Sequence, residues 1–412
     1  MRKVFFFILI ILVCLFLFRP KKSVYNLLKD VQDDYAFVDK YYIYGNHLNI
    51  YGSASISGNV SMVLKSINEE IEIPINYDGE KFFVSEFIND GIYLDNIPID
   101  DYLIFLKSVD GDSIKYYSLI NNSSYNDTLY YTVTCNDKNN LININFSSKN
   151  SKKYMMLSSH VSSVVDNYYD VIIDPGHGGD DPGASFSNHT EAQIVLDLAL
   201  KLKSSLEGLG LKVGLTRDSD FYPNTYGVNS RTSLPYESHA KYFISLHLNS
   251  TDDVMRYGGI EVYAPNNSNL SFASSLAKNI VDSADISYSV NEAFNVGNGV
   301  YIRTFTSSDI NNSIDDANAD GYSPYPITTD TNYYFMIRET GGIVTGAYVD
   351  GRDKDYGKNL YYDSNVGAES YLLELGYINY WGDLNNLLDN SNLYIDGIVN
   401  AFKEELKCYL NN

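Results

Sequence analysis

Cysteine is scarce. The chain of 412 residues has three, with Cys14 in an apolar N-terminal run and Cys135 and Cys408 far apart. That excludes a disulfide framework, and the lack of any Cys-x-x-Cys argues against a cysteine-based metal site. Positive charge is also short: 30 Lys and Arg stand against 52 Asp and Glu, a net charge of −22 spread along the chain. Such a surface argues against nucleic acid and anionic lipid as partners. A run long enough to span a membrane is missing too. Val4 to Phe18 is fifteen apolar residues, short of the roughly 20 that a spanning helix wants and within the range of a signal h-region. No small-x-small cleavage site follows it, only Phe18-Arg19-Pro20, and Cys14 follows Val13 rather than the small residue a lipoprotein needs. Residues 1–22 are therefore expected to be a signal anchor or a signal peptide. Lys and Arg lie on both flanks, so charge does not set the orientation.

The length allows more than one domain. The 38 Tyr, with abundant Asn, Ser and Gly, suit exposed strands, turns and carbohydrate contacts, and equally a skewed genomic base composition. Residues 23–40 read as a polar stalk. From Tyr41 to 147, short alternating runs such as His47–Tyr51, Ile71–Tyr77 and Leu141–Phe146 are separated by turn residues. This pattern predicts an all-β, sandwich-like module, either a binding unit or a spacer. Residues 148–167, Ser- and Lys-rich at their start, read as a linker.

From 168 to 412 strands alternate with helices. Val171-Ile-Ile173 is a buried strand running into the loop Asp174-Pro-Gly-His-Gly-Gly-Asp-Asp-Pro-Gly-Ala184. Thr190 is a good N-cap with Gln193 at the third helical position, and Val195, Leu198, Leu202 and Leu206 form a stripe ended by Gly208 and Gly210. Further strands are expected at 211–216, 242–246, 259–263 and 371–374, and helices around Arg231, over 268–284 and over 392–410. The rhythm implies an α/β domain with a mostly parallel sheet flanked by helices. In such sheets sites form beyond the carboxyl ends of strands, where His177, His247 and Glu374 fall. Two imidazoles and one carboxylate make a zinc-type set that leaves a position for water. A nearby Glu can take that water's proton and hand it to a leaving amine. His177, Glu191 and His247 are the candidate ligands of one Zn²⁺ ion, and Glu374 the acid/base. Each alone has a plain structural reading: a strand-end histidine, a helix-start carboxylate, a strand-end charge.

The His177 loop, Glu191, Thr216-Arg217, Arg231, Ser245-Leu-His247-Leu-Asn249 and Glu374-Leu-Gly-Tyr-Ile-Asn379 together resemble the zinc-dependent N-acetylmuramoyl-L-alanine amidases of the amidase-3 type. The resemblance runs over about 169–410 and does not reach residues 1–167. It implies hydrolysis of the amide between N-acetylmuramic acid and the first L-alanine of the stem peptide, in wall remodelling or cell separation. It places the family's zinc ligands on His177, Glu191 and His247 and its catalytic Glu on Glu374. Arg217, Arg231 and Asn249 match recurring positions and are expected as scaffold or substrate contacts. Peptidoglycan as partner puts the body of the chain outside the membrane, anchored or secreted. The alternatives are an inactive peptidoglycan-binding surface protein and a zinc hydrolase of another amide. The chain departs from the family between about 303 and 368, an insertion containing an expected hairpin at Ile343–Val349. That insertion either lines or covers the cleft and contacts glycan or stem peptide, or elaborates the surface elsewhere; a regulatory protein partner is left open.

Overall fold

The computed structural model describes residues 23–121, 127–133, 140–162, 168–225, 229–252, 258–319, 321, 327–340 and 366–406. The apolar run Val4–Phe18 and the hairpin expected at Ile343–Val349 lie outside them. Among the described residues no helix is long and apolar enough to cross a membrane.

Among the described residues the twelve strands of the first module, with Val366–Gly367 as a thirteenth, belong to one hydrogen-bonded sheet rather than the two sheets of a sandwich. Its strands share neighbours: Asp101–Asp110 pairs with Asn59–Lys65, Ser113–Asn121 and Lys152–Val161. Leu48, Phe82, Ile104, Leu129 and Leu157, from strands far apart in that order, meet in one apolar cluster.

Two boundaries differ from expectation. Residues 23–40 are no stalk: Val24–Asp30 is a 3₁₀ turn and Gln32–Tyr44 a strand of 13 residues. Its buried set changes from Ala36 and Val38 to Tyr41 and Ile43 because the register slips between Val38 and Lys40, which breaks the period-two signal. Within the supposed linker, Lys152–Val161 is a strand with four consecutive buried residues, Tyr154 to Leu157. Both its faces are covered: Met155 and Leu157 enter the main cluster, while Tyr154 and Met156 pack under Val24, Leu27 and Leu28 of the 3₁₀ turn. Strands buried on both sides do not alternate. The polar residues that suggested a linker are the turn, where Asn150 and Ser151 take positive φ.

The second module is the expected α/β layer. Its seven strands run in the order Val213–Leu215, Val171–Pro175, Tyr242–Asn249, Glu369–Tyr377, Glu261–Tyr263, Val300–Tyr301 and Asn295–Gly297. The first four are mutually parallel, and Glu261–Tyr263 joins antiparallel to Glu369–Tyr377. Alternate residues divide between the faces. Val171, Ile173, Tyr242, Ile244, Tyr371 and Leu373 pack with the helices Glu191–Glu207, Ser271–Ala284 and Trp381–Glu405. Ile172 and Phe243 turn the other way, onto Met336 of the short helix Phe335–Arg338. The helix expected around Arg231 begins later, at Leu234. Thr190 does cap its helix, accepting from the Gln193 N–H at 3.4 Å.

The modules are joined through buried polar groups. Val366–Gly367 adds to the first sheet beside Ile43 and Tyr44. Lys241 lies between Asp95 of the first module and Asp170 of the second, 3.2 and 3.3 Å away. Asn89 of the first module donates to the Asn269 carbonyl and to Glu369, at 3.0 and 2.8 Å. Tyr371 also donates to Glu369, whose second oxygen, Oε2, is buried without a hydrogen-bond partner among the described residues. Burial pushes the Glu369 carboxyl up to about 7 from an ordinary 4.5. The folded chain therefore holds this proton more tightly than the unfolded one. The associated stability is fully present below pH 4.5 and is lost as pH rises to about 7. Glu369→Gln should match the native chain in urea unfolding at pH 4 and exceed it by up to about 3 kcal/mol at pH 8. Parallel curves for the two chains across that range would refute the assignment.

Candidate metal centre and active site

The site forms where three parallel strands end. Val171–Pro175 leads into the His177 loop, Tyr242–Asn249 carries His247, and Glu369–Tyr377 carries Glu374, directly opposite His247 in register. Glu191 enters from the side, as the first residue of its helix. Its Oε1 lies 3.2 Å from His177 Nε2 and 3.0 Å from His247 Nδ1. Ligand-type atoms of His177, Glu191 and His247 all fall within 4.8 Å of one another.

Backbone holds this carboxylate in place. Leu248 N–H donates to Oε1 at 2.9 Å and Ala184 N–H to Oε2 at 3.0 Å. Burial by itself would raise the Glu191 pKa, but the two imidazoles outweigh it and hold the group ionised, well below the usual carboxylate range. For His177, burial works against the charged form, and the Glu191 and Asp181 carboxylates more than compensate, so its pKa lies above the usual value.

The loop's glycines have steric reasons. A Cβ on Gly176 would stand 2.3 Å from the His247 ring, and one on Gly183 2.7 Å from both Glu191 Oε2 and the His177 ring. His177 itself sits at φ +59°, a left-handed conformation uncommon outside glycine. Two arginines fix the loop from behind. Arg217 donates to the carbonyls of Pro175, Gly176 and Ala192, and Arg231 to the His177 carbonyl at 2.6 Å. Both are 2% exposed. Asp174, 3.3 Å from Arg231 Nε, accepts from Thr216 and Ser245 and ties the strand ends together. The Asn249 carbonyl accepts from Ile378 N–H, clamping the His247 strand to the Glu374 strand.

Glu374 as a whole is partly exposed, yet its Oε2 is out of solvent contact and has no hydrogen-bond partner among the described residues. Burial, then the charge of Glu191, then that of Glu261 push its pKa well up. Glu261 faces Glu374 across the antiparallel pair and accepts from Tyr263, Ser289 and Tyr377 at 2.6, 2.8 and 2.6 Å.

Three contributors escaped the sequence reading. Asp181 accepts from His177 Nδ1 at 2.8 Å, fixing the ring so that Nε2 faces Glu191; the signal was a His with Asp four residues on. Glu261 was legible only as a charge inside an apolar strand. Tyr334, from the expected insertion, packs 4.8 Å from the Tyr263 ring, and burial followed by the charge of Glu374 pushes its hydroxyl up. The described insertion divides in two: the helix Ser307–Ala319 has no buried residue among those described, while Tyr334 stands near Glu374 and Met336 and Ile337 are core.

The donor set fits a zinc-type ion: two imidazole nitrogens, one ionised carboxylate, and a carboxylate orienting one imidazole from behind. Among known proteins, a model of the N-acetylmuramoyl-L-alanine amidase family matches residues 171–404, more than half of the chain. The sporulation-specific N-acetylmuramoyl-L-alanine amidase of Bacillus subtilis is 40% identical over 82 residues, 19% of this chain and 31% of that protein. The N-acetylmuramoyl-L-alanine amidase LytC of the same species is 29% identical over 125 residues, 28% of this chain and 25% of that protein. The chain therefore spans about a third or less of the length of these relatives. The solved catalytic domain of CwlV, from Bacillus (Paenibacillus) polymyxa, is 21% identical with a TM-score of 0.38, over 58% of this chain and 98% of that one. That likeness is too weak to add to the fold seen here.

Asp181→Ala should weaken zinc affinity by about 10–100-fold while leaving the circular dichroism spectrum unchanged. Titration calorimetry of the metal-free chain reads this directly, and unaltered affinity would remove Asp181 from the site.

Proposed function

The chain belongs to the N-acetylmuramoyl-L-alanine amidase family, and on that premise we propose that it hydrolyses the amide joining N-acetylmuramic acid to the stem-peptide L-alanine of peptidoglycan. The observation that carries the proposal is Glu374 facing His247 across one strand pair, beside the His177–Glu191–His247 group. A carboxyl placed beside a metal-type donor set, with one oxygen lacking a hydrogen-bond partner among the described residues, is positioned for proton transfer. His177 Nε2, Glu191 Oε1 and His247 Nδ1 would hold one Zn²⁺, which when bound supplies an acidified water and polarises the amide carbonyl.

The chain's own groups do the rest. Glu374 accepts the proton of the attacking water and passes it to the departing L-alanine nitrogen, so one group serves as base and then acid. Burial, followed by the carboxylates of Glu191 and Glu261, raises its proton affinity, which suits the second role. Asp181 keeps the His177 proton on Nδ1 and Nε2 free to bind. Tyr334 and Tyr263 form the wall beside Glu374, so the insertion lines the cleft. Arg217, Arg231 and Asn249 keep the strand ends in register.

Peptidoglycan as substrate places the catalytic module outside the membrane, with 1–22 acting as signal anchor or signal peptide. The first module, joined to the second by Lys241 and Asn89, holds the catalytic sheet rather than reaching away from it.

Digestion of purified sacculi, with and without chelator, tests the reading. New L-alanine amines and unsubstituted muramic acid are expected; new reducing sugars would overturn it. Glu374→Gln should bind zinc as the native chain does and release amines about 10²–10⁴-fold more slowly. His177→Ala should lose both zinc and cleavage.

A further inference from the structure

The helix that follows the Glu374 strand starts on two aromatic residues, Tyr380 and Trp381, rather than on a capping side chain. Tyr380 occupies the N-cap position and makes no side-chain cap hydrogen bond there. Trp381, the chain's single tryptophan, packs its ring edge-on to Phe186, 5.0 Å between centroids, and stays 52% exposed. The backbone around it is fixed. Asp383 Oδ2 accepts from Gly259 N–H and from Tyr377 N–H at the end of the Glu374 strand, each at 2.8 Å. Tyr380 N–H also donates to the Tyr377 carbonyl at 3.0 Å. Trp381 therefore stands on a helix start tied to the strand that carries Glu374.

Phe186 stands at the other end of the contact, in the small hairpin that separates the His177 loop from Glu191. Ser187 and Asn188 turn this hairpin at positive φ, and both are exposed. Phe186 is its one apolar side chain, so the hairpin has no other to bury against the body of the protein. At the hairpin's base Ala184 and Glu191 are joined twice. The Glu191 N–H donates to the Ala184 carbonyl at 2.8 Å, and the Ala184 N–H to Glu191 Oε2 at 3.0 Å. The other oxygen, Oε1, is the one placed between the imidazoles of His177 and His247. Where the hairpin base sits thus decides where the shared carboxylate sits.

We propose that Trp381 is a positioning residue for the metal centre: by seating Phe186 it holds the hairpin base, and with it the Glu191 carboxylate, at a set place relative to the strand of Glu374. Groups that orient a ligand without touching the metal act on affinity through the geometry they keep. An edge-on ring pair is worth about three- to tenfold in an equilibrium constant. The two rings act as one unit, so removing either removes the same contact. This rests on the hydrolase reading only in taking His177, Glu191 and His247 as a zinc site, and zinc binding is measured without any cleavage.

Titration calorimetry of the metal-free full chain with Zn²⁺ reads the effect. Trp381→Ala should bind zinc about three- to tenfold more weakly while its circular dichroism spectrum stays that of the native chain. Phe186→Ala should weaken binding by the same factor, and Trp381→Phe should recover most of the loss. The double variant Phe186→Ala/Trp381→Ala should lose no more than either single one. Phe186 lies in a surface hairpin, so its variant keeps the test available even where Trp381→Ala disturbs the last helix. A ring pair that serves packing alone would leave zinc affinity unaltered in both single variants, or would give losses that multiply in the double one. Either result overturns the positioning and leaves the metal centre standing. A native chain that takes up no zinc would overturn the metal centre and the positioning together.

Discussion

Everything at the site depends on one carboxylate. Glu191 is taken out of water at a helix start and placed between two imidazoles, with Leu248 N–H and Ala184 N–H on its two oxygens. A buried charge left unpaired would be costly, and this one is offset from four directions. The arrangement needs the His177 loop and the His247 strand to approach more closely than side chains normally allow, so Gly176 and Gly183 sit at the contacts. Arg217 and Arg231 then hold the loop's carbonyls rather than reaching for a ligand.

A second constraint follows from the first. Glu374 and Glu261 face each other across a strand pair within reach of Glu191, and three ionised carboxylates cannot share such a space without compensation. The chain resolves this asymmetrically. Glu191 has the imidazoles, Glu261 has the hydroxyls of Tyr263, Ser289 and Tyr377, and Glu374 is left with an Oε2 that has no partner among the described residues. The group with the least support has the raised pKa, through burial first and the neighbouring carboxylates second.

The first module acts on the site through the strand that bears Glu374. Glu369, at the start of that strand, is held by Asn89 of the first module and by Tyr371, and Val366–Gly367 just before it pairs with Ile43 and Tyr44. The helix Phe335–Arg338 supports the same strand from its other face, with Ile337 against Leu372. The segment that looked added to the fold is therefore part of what keeps Glu374 in register with His247.

By itself the sequence determined the α/β alternation, the Thr190 cap, and the gathering of His177, Glu191, His247 and Glu374 at one edge of the sheet. Those signals are local: apolar runs end at Gly-rich loops, and strand ends of a parallel sheet converge whatever lies between them. It misjudged 23–40 and 148–162 for equally physical reasons. A bulge at Val38–Lys40 shifted one pattern, and burial of both faces erased alternation at Tyr154–Leu157. Only the tertiary structure decided that Arg217 and Arg231 donate to the carbonyls of the His177 loop, that Asp181 orients His177, and that Glu261 and Tyr334 stand by Glu374. Such roles are set by which strand is placed beside which, and by a segment returning from some 65 residues of intervening chain. Pairings of that kind leave no periodic trace in the residues that make them.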